Sequence, residues 1–199
     1  MKRTILQIVL FIIIVGLAWL VYDSIMQPVR FNKEKNRREK LVIQYLKDIR
    51  SAELLFKQLN GRYTGSFDTL IQFMDSAQIP VVKMIPDPTD TTFTRTINDT
   101  LGYVRVADSL FGNPPRMNYH NLAIIPFSNN QKFELNAGVI EKGGVKVNVF
   151  EAKAPYDAYL YGMDEQTIIN MKAAKNDINR YPGLKVGSMT EASTDGNWE

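Results

Sequence analysis

The strongest constraint on this chain is the run Ile5 to Tyr22, ILQIVLFIIIVGLAWLVY, which holds no charged residue and one strongly polar one, Gln7. As a helix rising 1.5 Å per residue it reaches about 27 Å, close to the hydrocarbon thickness of a bilayer, and Ile25 and Met26 can lengthen it. Ile5, Ile8, Phe11, Ile12 and Val15 suit acyl chains, whereas Trp19 and Tyr22 stand near one end, where amphipathic rings favour the membrane–water interface. A secretory signal has a shorter apolar core followed by a small-x-small cleavage site, and no such site follows Tyr22. The chain has no cysteine, so a lipid-attachment cysteine, a disulfide and a thiol nucleophile are all excluded. The expectation is an uncleaved, single-pass anchor over residues 1–28.

Basic residues flank the run on both sides. Lys2 and Arg3 precede it; Arg30, Lys33, Lys35, Arg37, Arg38 and Lys40 follow it. Counted alone, the second group places the large domain in the cytoplasm. A helix leaving the bilayer carries the farther members away from the surface, which weakens that count. Arg30, Lys33 and Arg37 are candidates for anionic headgroup contact, each near-surface charge contributing about 1 kcal/mol. The competing reading is a solvated helical stalk. A net charge of only +3, with a single aromatic residue, Phe31, among these cations, argues against nucleic acid.

Residues 29–60 are rich in helix formers, and Pro28 marks a kink or short break before them. Val42, Tyr45, Ile49, Ala52, Phe56 and Leu59 recur at three- and four-residue steps and form an apolar stripe. The stripe is assigned to packing on a sheet. Packing against a neighbouring subunit is the alternative, so a homo-oligomer stays open. Residues before Leu41 read as stalk. Glu53 is placed on the flank of the stripe, paired with Lys57 one turn on. Asn60-Gly61 ends the helix.

Residues 61–189 read as an α+β domain. Ser66 and Asp68 open a short helix with Phe67, Leu70, Ile71 and Met74 on its apolar side. Pro80 to Thr100 reads as an extended loop with, at most, an edge strand. Tyr103 to Val106 is a strand candidate, and Gly112 to Pro115 a turn. Two hairpins are expected: Leu122–Phe127 with Lys132–Ala137, and Val139-Ile140 with Val145–Phe150 across Gly143-Gly144. Asp164 caps a helix running to about Lys175, and Leu184 to Val186 is a final strand. Residues 190–199 read as a polar, mobile tail.

Catalytic signals are scarce. There is no Gly-x-Ser-x-Gly elbow and no phosphate-binding glycine loop. His120 is the only histidine, and Asp87, Asp90 and Asp99 lack the spacing of a calcium loop. The expectation is a non-enzymatic protein without a cofactor or metal.

The order of elements, and locally Ile49-Arg50-Ser51-Ala52-Glu53, Phe56 and Asn60-Gly61-Arg62-Tyr63-Thr64-Gly65-Ser66-Phe67-Asp68-Thr69-Leu70, resembles type IV pilins and the pseudopilins of type II secretion systems. The chain is also similar to uncharacterised single-pass envelope proteins of Bacteroidetes. The pilin resemblance implies a long amphipathic helix packed on an antiparallel β-sheet. It further implies an inner-membrane location, a periplasmic domain and other envelope proteins as partners. The family's leader, glycine cleavage site and early glutamate have no counterpart here: Met1-Lys2-Arg3-Thr4 runs straight into the apolar helix. A permanent tether is expected in place of a processed filament subunit.

Overall fold

In the computed structural model, which describes residues 2–86 and 96–199, the apolar run and the amphipathic stripe belong to one helix, α1 (Lys2–Asn60). Its 59 residues correspond to a length of about 88 Å. Pro28 does not break it. A mid-helix proline removes one N–H and costs about 3 kcal/mol. Both flanks hold the helix together here. In a bilayer the apolar run would have no other way to pair its backbone, and Phe31 is already buried against the domain.

The expected stalk is therefore much shorter than residues 29–40. At about 100° per residue, Phe31, Lys35 and Arg38 fall within roughly 40° of Val42, on the same line as Leu46, Ile49, Glu53 and Phe56. The domain packs on this whole line, from Phe31 to Phe56. Tyr45 lies half-buried at its edge, with its ring 6.4 Å from Phe133. Leu59 is about 100° off the line and is 45% exposed.

A three-stranded antiparallel sheet of β3 (Glu134–Lys142), β4 (Val145–Pro155) and β5 (Gly183–Gly187) packs on α1, with β4 in the centre. Alternation along β4 puts Phe150, Ala152 and Ala154 in the core, joined by Leu135 from β3 and by Leu184 and Val186 from β5. Small alanines at the centre let the helix approach closely. On the other face Glu151 accepts from Lys185 at 3.0 Å and lies 2.7 Å from Lys153. The β3–β4 connection is the expected hairpin: Gly143 and Gly144 both have positive φ, as a two-residue turn between twisted strands requires.

Helix α2 (Phe67–Ser76) buries Leu70, Phe73 and Met74. Two expectations fail beyond it. The segment read as a loop is a ribbon of β1 (Gln78–Pro86) and β2 (Thr96–Arg105), antiparallel with an irregularity at Val81/Val82. Its prolines and Thr/Asp content hid the strands, but a two-stranded ribbon has only edges, where such residues are tolerated. Strand β2 stops at Arg105, and Val106 opens α3 (Val106–Phe111).

The first expected hairpin is also absent. Between Leu122 and Phe133 there is only an isolated bridge, Ile124 to Lys132. Phe127, Asn129 and Asn130 adopt positive φ, which breaks extended pairing. The buried Ser128 hydroxyl donates to the Ile125 carbonyl at 2.7 Å and ties the turn internally. The Phe127 ring faces the guanidinium groups of Arg37 and Arg38, each 5.1 Å from its centroid.

Helices α4 (Tyr156–Tyr159) and α5 (Glu165–Asn176) follow β4, and the Asp164 carboxylate caps α5 by accepting from the Thr167 N–H at 2.8 Å. The terminal segment, expected to be mobile, folds back along β5. Gly187 donates to the Asp195 carbonyl at 2.9 Å and Asn197 to the Lys185 carbonyl at 3.0 Å. The Asn197 side chain bonds the Lys185 N–H and the Gly183 carbonyl, and Arg50 reaches the Thr194 carbonyl and Glu199. Deleting residues 190–199 is expected to cost about 2–4 kcal/mol, since a handful of such bonds contribute about 1 kcal/mol each. Thermal unfolding would show it, and an unchanged midpoint would mean the segment is not docked.

Candidate functional site

The N-terminal part of α1 is long and apolar enough to cross a membrane, and none of its apolar run is buried by the protein. Ile8, Phe11, Ile12, Val15, Trp19 and Tyr22 are all exposed, each retaining more than half of its accessible surface. The Ile5 side chain lies outside the described residues. Such a helix presents apolar surface on every side, the pattern suited to lipid or to other apolar helices.

Arg30, Lys33 and Arg37 all lie on the side of α1 opposite the packed line, by the same 100° rule. Arg30 sits 3.5 Å from Asp23, and Arg37 donates twice to Glu34, at 2.8 and 2.7 Å. Both remain nearly two-thirds exposed. Lys33 is exposed and makes no ion pair among the described residues. Exposed pairs of this kind contribute under about 1 kcal/mol and exchange readily for a phosphate.

Lys35 and Arg38 face inward and act as a clamp, while Lys40 is exposed. Arg38 donates to the carbonyls of Tyr159 and Tyr161, at 3.2 and 2.9 Å, and its Nε donates to Glu34 at 2.9 Å. Hydrogen bonds from Arg37 and then Arg38 hold the Glu34 carboxyl at about 2, far below its ordinary range. Lys35 pairs with Glu39 at 2.9 Å, and Glu39 accepts from the Tyr159 hydroxyl at 3.1 Å. Burial first, and then the Glu39 charge, pushes the Tyr159 phenol well up, so it remains a donor. The first helical turns after the anchor are thereby fixed to the domain through α4.

Glu53 corrects the expected pairing with Lys57. Its side chain is fully buried; Oε2 accepts from the Thr64 N–H at 2.9 Å, while Oε1 has no partner. Lys57 turns away to the Tyr63 ring, with Nζ 4.7 Å from the centroid. Burial pushes the Glu53 carboxyl up to about 7, against the smaller opposing effect of the Thr64 hydrogen bond. Asp48 is buried too, but it accepts from Arg116 and from Gln44.

Asp87 and Asp90 lie outside the described residues. Asp99 is exposed on β2 opposite Lys83. His120 is an exposed member of a short 3-10 turn, with Nδ1 3.9 Å from Asp75. Among the described residues, no three His, Cys, Asp or Glu side chains converge as a metal site would require. The inward-facing roles of Lys35, Arg38 and Glu53 were not legible in the sequence, although all three fall on the helical line through Val42 and Ile49. Comparison with protein-family models, curated proteins and solved structures finds no match.

Proposed function

We propose that the protein is a non-enzymatic, membrane-anchored structural or assembly component of a bacterial envelope, with a pilin-like domain facing the periplasm. The observation that carries this reading is the double character of α1. One uninterrupted helix presents apolar surface all round at its N-terminal end and one packed face at its C-terminal end, where an antiparallel sheet covers it. That arrangement suits a subunit held laterally in a bilayer and presenting its domain to partner proteins. In this reading the exposed anchor is also the surface through which copies of the chain, or apolar helices of other envelope proteins, would meet.

A second reading is a cytoplasmic-facing adaptor held at anionic lipid, and the outward-facing cations Arg30, Lys33 and Arg37 favour it. Fusions placed after Glu199 separate the two. Alkaline phosphatase is expected to be active there and a fluorescent protein dark. The reverse pattern would establish the cytoplasmic orientation and remove the pilin-like assignment.

A further inference from the structure

Two unpartnered faces stand on opposite sides of α1 and α5. Asp164 and Thr167, at the start of α5, line a hollow with Gln27, Pro28, Phe31 and Asn32 of α1; farther along, Met171, Ala174 and Lys175 adjoin Lys35. Helix α5 therefore runs beside α1 in the same direction, level with about residues 28–35. At about 100° per residue, Thr167, Met171 and Ala174 share the stripe that faces α1, which turns Glu165, Ile169 and Lys172 to the far side. There Ile169 joins Tyr161, Met163 and Ile168 in a hollow of about 610 Å³, with Ile169 49% and Tyr161 55% exposed. Contiguous apolar surface left open to water marks a contact site. On its rim Asp157 is paired with Lys172, whereas Glu165 makes no ion pair among the described residues. The outward side of α1 carries the complement. Arg30, Lys33, Arg37 and Lys40 point away from the packed line, and Lys33 and Lys40 make no ion pair among the described residues. Val29 and Leu41, also exposed, add apolar surface on that side. Arg37 and Lys40 stand about 16 and 21 Å beyond Met26 along α1, past a headgroup layer about 5–7 Å deep, so lipid does not cover them.

From this geometry we infer that copies of the chain stand side by side in the membrane, the Arg30–Lys40 face of one α1 against the α4–α5 hollow of the next. The inference rests on α1 spanning the bilayer and holds for either orientation of the domain. Three features select a second copy as the occupant. The charges are complementary, with unpaired lysines on one face and an unpaired glutamate on the other. The heights match: both faces lie level along one helix, and a shared bilayer holds every copy at that height with its helix pointing the same way. The two faces also point in opposite directions, so one contact does not block the next. Exposed ion pairs contribute under about 1 kcal/mol each. Confinement in one plane and one orientation removes much of the freedom that such a contact must otherwise restrict. Because the two faces differ, the contact is head-to-tail and builds a row or a ring in place of a closed pair.

The chain contains no cysteine, so introduced cysteines react alone. The full-length double variant Lys33→Cys/Glu165→Cys, in phosphatidylcholine vesicles, is treated with a short bismaleimide. Both positions are exposed and face apart across α1 and α5, so the linker joins them only between copies. A ladder of dimers, trimers and longer species is expected. Mixing the two single variants should stop the products at dimers. Their yield should be several-fold above that of Lys33→Cys mixed with Lys146→Cys, since the Asn148 bond to the Gly61 carbonyl places the β3–β4 tip at the far end of α1. Carbonate washing of the same vesicles reports the anchor. If the chain stays with the membrane but position 33 couples mainly to itself, or to 146 as readily as to 165, the docking is wrong and the anchor stands. If carbonate releases the chain, the anchor reading falls, and with it the common height on which the docking rests.

Discussion

Glu53→Gln is expected to remove a pH dependence of stability that the native protein shows between about pH 4.5 and 7, and to stabilise the fold by about 3 kcal/mol at pH 8. The sign follows from the direction of the shift. Burial raises the folded-state pKa above that of the unfolded chain, so in this window the folded state binds a proton that the unfolded state has released. Stability contributed by the protonated group is full below the unfolded value and falls as pH rises through about 7. The glutamine keeps the acceptor for the Thr64 N–H and carries no charge to desolvate. At pH 4 the two proteins should therefore be nearly equal. The measurement is denaturant unfolding of the detergent-solubilised chain at several pH values, followed by near-ultraviolet circular dichroism. A glutamine variant with the native pH slope would show that Glu53 is not the group responsible.

The contrast with Glu151 explains why Glu53 stands apart. Burial also pushes Glu151 up, but hydrogen bonds from Lys153 and Lys185 outweigh it, and its carboxyl settles below the ordinary range. Glu53 has no cation to do the same. The two nearest in sequence are engaged elsewhere, Arg50 with the Thr194 carbonyl and Glu199 and Lys57 over the Tyr63 ring, and the remaining contact is a neutral backbone N–H. A buried ionised carboxylate without a cationic partner is costly, and the cheaper state carries the proton. Since Thr64 sits in the link from α1 to α2, the protonation state of one α1 side chain bears directly on how firmly that link is held.

What could be read from the sequence depended on the range of the interactions. The anchor, the Gly143-Gly144 turn and the Asp164 cap were legible because each is local: an unbroken apolar run, two adjacent glycines, one short side chain before a helix. The long helix was legible as a helix, but not the width of its packed face. Their charge makes Lys35 and Arg38 read as solvated, whereas carbonyls distant in the chain and a carboxylate one turn away satisfy them. One apolar residue among charges makes no stripe, so the sequence gives no sign that Phe31 is buried. Prolines tolerated at an edge hide the β1–β2 ribbon, and the Leu122–Phe133 segment alternates like a strand although Phe127, Asn129 and Asn130 turn its backbone away. The candidate site suffered most: the approach of α5 to Pro28 joins residues more than a hundred positions apart, and no local pattern records it.

Two leucines of α1, Leu46 on the packed line and Leu59 off it, test the rotation of the packed face. Leu46→Ala is expected to cost about 2–5 kcal/mol, whereas Leu59→Ala should fall within about 0.5 kcal/mol of the native protein. Both remove the same atoms from the same helix, and both lose the same small helix-propensity term, so the difference reports burial alone. Leu46 is completely buried between Val42 and Ile49 on the line facing the sheet, while Leu59 is 45% exposed in the last turn before Gly61. Removing buried atoms forfeits their transfer free energy and leaves a cavity; removing exposed ones leaves only water. The same pair separates folding from partnership. If Leu59 belongs to a surface that meets another protein or a second copy, Leu59→Ala leaves unfolding unchanged but weakens recovery of a cross-linked complex. Equal and large losses of stability for both variants would mean that the packed face is centred nearer Ala52 than Leu46, and that Glu53 is not in the core.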